Sequence, residues 1–147
     1  MYSHILIPTD GSEVAEKAVS AGIDFARDAG AKVTLFTAVP EYEPPSEVQV
    51  LARNVMSVAD HARKSERLAH GVLAPAVEKA RAAQLTFDTA FSQSNQPWQA
   101  IIDAANRYGC DAIFMASHGR KGLPAVWHGS QTREVLTHSK VPTLVYR

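Results

Sequence analysis

The sequence is poor in cysteine, in long apolar runs and in net charge, and each shortage excludes a class of protein. With one cysteine, Cys110, among its 147 residues, the chain can form neither an internal disulfide nor a cysteine-based zinc site, a usage typical of a reducing compartment. It has no signal-peptide pattern and no apolar run of about 18 residues, so we expect a cytoplasmic protein without a membrane span. The 15 basic and 15 acidic side chains cancel, which argues against nucleic acid or a membrane surface as a partner.

Positive charge nevertheless gathers towards the C-terminal end. Residues 111–147 carry a net charge of +3, and residues 1–110 carry a net charge of −3. A small anion would therefore prefer the C-terminal quarter. Because 46% of the residues are hydrophobic, a chain of this size can bury one ordinary core, and we expect residues 1–147 to form a single domain.

Apolar runs of strand length alternate with segments that repeat at helical spacing. The predicted strands are residues 4–9, 32–39, 86–91, 111–116 and 141–146. The predicted helices are residues 13–29, 97–108 and 130–139, the first of them between a capping Ser12 and a terminating Gly30. Strands that alternate with helices at this spacing indicate right-handed crossovers, and hence a doubly wound parallel sheet with helices on both faces.

The long segment between the second and third strands has a helical composition. One continuous helix over residues 47–83 would be about 55 Å long, nearly twice the width of a small domain, so we expect an interruption. We expect residues 65–83 to be the better packed part and residues 41–60 to be mobile. The candidate buried positions are Val48, Leu51, Val55, Val58, Leu68, Val72, Val77 and Ala80.

Two loops at strand ends form the candidate ligand site, because ligands of doubly wound sheets lie outside the carboxyl ends of the strands, where the strand order reverses. The first loop is residues 8–12 and the second begins at residues 115–119. In the second loop Gly119 lets the backbone approach a ligand, and Gly129 and Ser130 open a helix whose bare amide groups attract an anion. The pattern favours a phosphate; the alternative is that these glycines only shape a tight loop and a helix start.

Three segments resemble the universal stress protein family: the opening ILIPTDGSE, the closing VPTLVYR and, above all, ASHGRKGLPAVWHGS. The last is similar to the family's nucleotide signature of Gly, two residues, Gly, nine residues, and Gly followed by Ser or Thr. Gly119, the nine-residue spacer and the pair Gly129 and Ser130 match it, whereas Ala116 stands where the signature has its first glycine. The resemblance implies an adenine-nucleotide-hydrolase-like sheet of five strands in the order 3-2-1-4-5, with ATP bound between strands one and four.

The resemblance also implies roles for individual residues. Asp10 would make the polar contact with the adenosine, or, in the alternative interpretation, cap the first helix or close an Asx turn before it. Ala38 would offer backbone groups to the adenine, and His118 would order its loop. The remaining implied adenosine contacts are Pro8, Thr9, Met115 and Ala116, and the implied phosphate contacts are Gly119, Gly129, Ser130, Gln131 and Thr132. Ser117 is a further candidate site residue. Arg120 is a candidate because of its charge: it would reach a triphosphate from the loop, or it would be an ordinary solvated charge.

A homodimer through the last strand is a further implication of the resemblance. The residues agree with it, because Pro142 has no amide hydrogen and is tolerated at a sheet edge far better than in a central strand. An uncovered edge with Val141, Leu144 and Val145 would invite pairing with a second copy.

Two functional hypotheses follow. The first is a regulatory protein that binds ATP, AMP or cyclic AMP, with Mg²⁺ or Mn²⁺ as a candidate bridge between phosphates and at most slow hydrolysis, since the chain has no Walker lysine and no evident general base. The second is a nucleotide-free dimeric scaffold that acts through protein contacts. The replacement of the first signature glycine by Ala116 favours it. The intact spacing from Gly119 to Ser130 favours the first hypothesis.

Overall fold

The computed structural model describes residues 1–53, 55–117 and 130–147. The strands are β1 (His4–Pro8), β2 (Lys32–Val39), β3 (Phe87–Gln93), β4 (Ala112–Ala116) and β5 (Thr143–Tyr146). The helices are α1 (Glu13–Ala29), α2 (Glu47–Leu51), α3 (Val58–Ala82), α4 (Pro97–Arg107) and α5 (Ser130–His138). All five predicted strands are confirmed, with bounds that differ by at most two residues. None of the helices in the described part of the chain has the length and apolar character that a membrane crossing requires.

The strands form one sheet in the order β3-β2-β1-β4-β5, as the resemblance implied. Every neighbouring pair is parallel, and Ile5 of β1 lies opposite both Val33 of β2 and Ala112 of β4. The chain therefore crosses outwards from β1 to β3 and then returns to the other side of β1. This reversal leaves the carboxyl ends of β1 and β4 next to each other, which is where such sheets bind ligands.

The buried strand β1 supplies side chains to two apolar cores, one on each face of the sheet. Ile5 and Ile7 pack with the helices α1 and α3. Leu6 packs with α4 and α5, through residues such as Ile101 and Val135. The near-continuous apolar run of β1 is thus explained by burial on both faces, as in other parallel sheets.

The middle segment is interrupted as expected, because α2 ends at Leu51 and α3 begins at Val58. The buried residues of α3 are Ser65, Ala69, Leu73, Ala76 and Ala80, so residues 65–83 are the better packed part. The predicted mobility of residues 41–60 stays a prediction.

Most of the predicted buried positions in this segment are wrong. Val48, Leu51, Val55, Val58 and Leu68 are exposed, and Leu51 is 84% exposed. Val72 and Val77 are half-buried, and only Ala80 among the eight is buried. Val48 and Leu51 lie on α2, none of whose residues is buried. The buried face of α3 is a stripe of mostly small side chains, and Val58 and Leu68 lie outside that stripe.

Candidate functional site

Thr9 fixes the loop that follows β1. Its amide donates to the carbonyl of Phe36 at 2.9 Å, which extends the pairing with β2 by one residue. Its hydroxyl donates to Oε1 of Glu16 at 3.3 Å and accepts from the amide of Gly11 at 3.1 Å. Thr9 is completely buried, so its side chain shapes the loop from beneath and leaves the loop surface to Asp10 and Gly11.

Asp10 closes an Asx turn, and that part of its alternative interpretation is confirmed. Its Oδ1 accepts from the amide of Ser12 at 2.9 Å. Ser12 is the N-cap of α1, with its hydroxyl accepting from the amide of Ala15 at 3.2 Å. The carboxylate of Asp10 is therefore held at the carboxyl end of β1, beside the first turn of a helix. Its contact with an adenosine stays a prediction.

The first turn of α5 is attached to the end of β4. The hydroxyl of Thr132 donates to the carbonyl of Ala116 at 2.7 Å, and Thr132 is 8% exposed. The amide of Ser117 donates to the carbonyl of Tyr146, which ties the end of β4 to β5 at 2.8 Å. The start of α5 therefore lies at the carboxyl edge of the sheet, next to the end of β4, which is the strand beside β1. The amide groups of a helix start attract anions, so this edge is electrostatically suited to a phosphate.

Gln131, predicted on the phosphate side, has a structural contact that the sequence did not reveal. Its Oε1 accepts from the amide of Trp98 at 2.9 Å. Within the described residues, the N-cap residue of α4, Gln96, makes no capping bond with its own side chain. Gln131 thus caps α4 from α5, and this oxygen is engaged there. The sequence signal for this contact is weak: a helix that starts at Pro97 without a preceding Ser, Thr, Asp or Asn needs a cap from elsewhere.

The predicted nucleoside contacts from the strands lie at the same edge but are largely buried. Ala38 is 7% exposed and Met115 is 3% exposed, and both belong to the core between the sheet and the helices α4 and α5. Pro8 is the last residue of β1 and is also buried. Ala116 and Ser117 are half-buried. Their positions agree with a ligand above the strand ends, approached mainly through backbone groups.

The remaining predicted site residues, His118, Gly119, Arg120 and Gly129, lie outside the described residues. Ser130 is described as the first residue of α5. Of the residues predicted at or beside the phosphates, the structure therefore describes Ser117, Ser130, Gln131 and Thr132.

A cavity of about 1060 Å³ opens beside the end of β4, between α1, α5 and β5. Ser117 and Thr132 contribute to its wall. Its charged lining residues are mostly basic, namely Lys17, Arg133 and Arg147 against Glu134. Two of the five basic residues of the C-terminal quarter, Arg133 and Arg147, therefore line this cavity.

Comparisons with known proteins agree with this architecture. The chain is 28% identical over 161 residues to the universal stress protein MJ0577 of Methanocaldococcus jannaschii, covering the whole chain and 96% of that protein. It is 24% identical over 151 residues to the universal stress protein YxiE of Bacillus subtilis, with both chains fully covered.

Solved structures show the same fold. The structure of MJ0577 has a TM-score of 0.75 and 26% identity, covering 99% of this chain and 95% of that chain. A universal stress protein in complex with cAMP has a TM-score of 0.73 and 22% identity, covering 99% and 97%. The universal stress protein of Archaeoglobus fulgidus in complex with dAMP has a TM-score of 0.65 and 20% identity, covering 99% and 98%.

The model of the universal stress protein family matches residues 1–147, the full length of the sequence. Together with the strand order and with the signature around Gly119 and Ser130, this match shows that the chain belongs to the universal stress protein family.

Proposed function

We propose that this protein binds an adenine nucleotide at the carboxyl edge of the sheet, between β1 and β4. The observation that carries the proposal is the hydrogen bond from Thr132 to Ala116, which attaches the start of α5 to the end of β4. Because β1 and β4 are neighbouring strands, the start of α5 and the loop that Thr9 and Asp10 build after β1 both follow strand ends at the same edge of the sheet. Relatives of this fold in complex with cAMP and with dAMP support the class of ligand.

In this proposal the two halves of the site have different tasks. The loop at Thr9 and Asp10 faces the nucleoside, and the backbone of Ala38 faces the adenine. The start of α5, with Gly129 and Ser130, holds the phosphates through amide groups, and Arg120 adds positive charge. A divalent cation, Mg²⁺ or Mn²⁺, would bridge phosphate oxygens and complete its coordination with water.

We infer a regulatory role in the cytoplasm in which ATP or a related adenine nucleotide acts as a bound ligand and turnover is slow at most. Tight holding of phosphates by amide groups provides affinity, while hydrolysis also needs a group that activates water. Asp10 is a carboxylate at the carboxyl end of β1, and its Oδ1 accepts from the amide of Ser12. Its task in this proposal is to bind and orient the nucleoside.

The nucleotide-binding unit is proposed to be a homodimer through β5. This strand is at one end of the described sheet, and Tyr146 and Leu136 of α5, which line the same cavity, are 37% and 52% exposed. Two of the apolar residues expected at the uncovered edge are used inside the protein instead: Val141 and Leu144 pack against the two cores. Light scattering should show a dimer at micromolar concentration and its loss when residues 143–147 are deleted; a monomeric full-length chain would refute this interface.

The second candidate function is a nucleotide-free scaffold, which Ala116 favours. The methyl group of Ala116 lies at the carboxyl end of β4, where the family signature has glycine, and would crowd a nucleoside. If crowding matters, Ala116→Gly should tighten nucleotide binding and leave the fold intact. Unchanged or weaker affinity would show that the alanine is compatible with the ligand.

Two measurements test binding itself. Mass spectrometry of the freshly purified, heat-released fraction should find an adenine nucleotide in near-stoichiometric amount. Calorimetry with ATP and Mg²⁺ should give a saturable heat that Gly129→Val weakens by about 1 to 3 kcal/mol, because the new side chain occupies the phosphate space. Gly71→Ala is the matched control, since Gly71 lies on α3 with no described atom within 4 Å of an added Cβ. No heat with the wild type, or equal affinity of Gly129→Val, would refute the site.

A further inference from the structure

An ion pair joins α3 to the first turn of α1 beneath the proposed nucleotide loop. Nζ of Lys79 lies 2.9 Å from Oε2 of Glu16 and also donates to the backbone carbonyl of Glu16 at 3.1 Å. Among the ion pairs of the described residues it is the least exposed, with 18% of the Glu16 side chain and 37% of the Lys79 side chain accessible. The other lysine and arginine pairs described are more than half exposed. Lys79 and Glu16 therefore form a partly desolvated contact of a kind that surface pairs do not provide.

The second oxygen of the same carboxylate reaches the loop. Oε1 of Glu16 accepts from the hydroxyl of Thr9 at 3.3 Å, and that hydroxyl accepts from the amide of Gly11 at 3.1 Å. The donors thus point in one direction along the chain of groups: the amide to the hydroxyl, and the hydroxyl to the carboxylate. Each bond polarises the next, so the charge on Glu16 strengthens the hold of Thr9 on Gly11.

The helix α3 also lies close to the loop at Gly11. Gly11 has φ +79°, and a Cβ built on it would meet Cγ1 of Val72 at 3.6 Å. Val72 and Lys79 are seven residues apart on α3 and so lie on the same face of the helix. Two residues of this helix face therefore lie at the loop: Val72 is close to Gly11, and Lys79 is linked to Thr9 through Glu16.

We propose that Lys79 is a positioning residue for the nucleotide-binding loop, which it orders through Glu16 and Thr9. This inference rests on the proposed function. Lys79 touches no nucleotide; it fixes the carboxylate of Glu16 in the orientation that the Thr9 hydroxyl needs. With Thr9 and Gly11 held, the turn of Asp10 is preorganised, and a ligand does not have to order it on binding.

Two other roles for the pair make different predictions. A pair that only stabilises the fold would affect the free energy of unfolding and leave the affinity of the folded protein unchanged. A pair that only adjusts the local charge would affect the binding of anionic nucleotides and leave the binding of neutral adenosine unchanged. If the pair positions the loop, its removal weakens the binding of adenosine and of AMP alike.

The experiment measures binding of adenosine and of AMP to Lys79→Met by calorimetry, well below the melting temperature. Both ligands should bind about threefold to tenfold more weakly than to the wild type, the range expected when a contact that supports a site is removed. Lys79→Arg retains a donor for Glu16 and should lose less than about twofold. Arg81→Met is the matched control: Arg81 pairs with Glu78 at 2.8 Å on the same helix, both side chains are more than 60% exposed, and no change in affinity is expected.

Amide hydrogen exchange of the nucleotide-free protein gives an independent readout. In Lys79→Met the amides of Gly11 and Ser12 should exchange faster, while amides in the centre of β1 retain their protection. If Lys79→Met does not fold, Lys79→Ala is the second variant, with the same expected results.

The outcomes separate the inference from the function on which it rests. Equal affinity of Lys79→Met and wild type, a loss confined to AMP, or unchanged exchange at Gly11 each overturns the inference while nucleotide binding stands. Failure of the wild type to bind either ligand overturns the proposed function, and the inference with it.

Discussion

Replacing Gly22 by valine tests the close packing of α1 on the sheet. Gly22 faces the sheet from the middle of α1, and a Cβ built on it would lie 2.9 Å from Cδ1 of Ile7 and 3.0 Å from Cδ1 of Phe114. Ordinary contacts of a Cβ begin near 3.4 Å. Ile7 is fully buried and Phe114 is 6% exposed, so a side chain displaced by the new Cβ would have to move within the packed core.

The magnitude follows from overpacking. Adding side-chain atoms to a filled core costs about 1 to 3 kcal/mol, whereas replacing glycine by valine in a helix regains only a few tenths of a kcal/mol. We expect Gly22→Val to lower the free energy of unfolding by about 2 kcal/mol. Urea denaturation followed by circular dichroism measures this, with the slope of the transition expected to be unchanged.

Gly71→Ala is the control for this substitution. Gly71 is also in a helix, but no described atom lies within 4 Å of its added Cβ, so the change should stabilise the protein by about 0.5 to 1 kcal/mol. If Gly22→Val is as stable as the wild type, or if the two glycines respond alike, the packing argument is wrong.

Three further predictions concern other parts of the fold. Burial lowers the pKa of His4, and the charge of Lys32 lowers it further, so unfolding takes up a proton and stability should fall as the pH drops below 6.5. The urea midpoint of His4→Asn should fall less over the same pH range, and an equal fall would contradict the assignment of this pH dependence to His4. Burial raises the pKa of Cys110 to about 11, so iodoacetamide should label the native protein far more slowly than the urea-unfolded chain, and equal rates would refute its burial. Gln131→Ala removes the oxygen that caps α4 and should cost about 1 kcal/mol in urea denaturation; no loss would show that water replaces it.

The features that the sequence predicted well are those that neighbouring residues determine. The apolar run of β1 and the pair Ser12 and Gly30 at the ends of α1 are local signals, because strand burial and helix capping involve residues close in the chain. The strand order followed from the resemblance and not from the residues, since periodicity gives no information on which strands are neighbours.

Prediction from the sequence failed for contacts between residues far apart in the chain, and for buried positions that are filled by small side chains. The inward face of α3 is formed largely by alanines such as Ala69 and Ala76, so a search for large apolar residues selected Val48 and Leu51 instead, which lie on the exposed α2. The contact of Lys79 with Glu16 joins residues 63 apart in the chain, and no local pattern marks it. Of the candidate site, the turn of Asp10 was predictable from its place between a strand and a helix, whereas the tie from Thr132 to Ala116 required the folded sheet.

The most direct test of the central claim is a titration of isotopically labelled protein with ATP and Mg²⁺, followed by the amide resonances. Nucleotide binding between β1 and β4 predicts saturable shifts at Gly11, Ser12, Ser117 and Thr132, with resonances of the edge strand β3 unmoved. Absence of saturable shifts, or shifts concentrated on β3 and away from these four amides, would contradict the account.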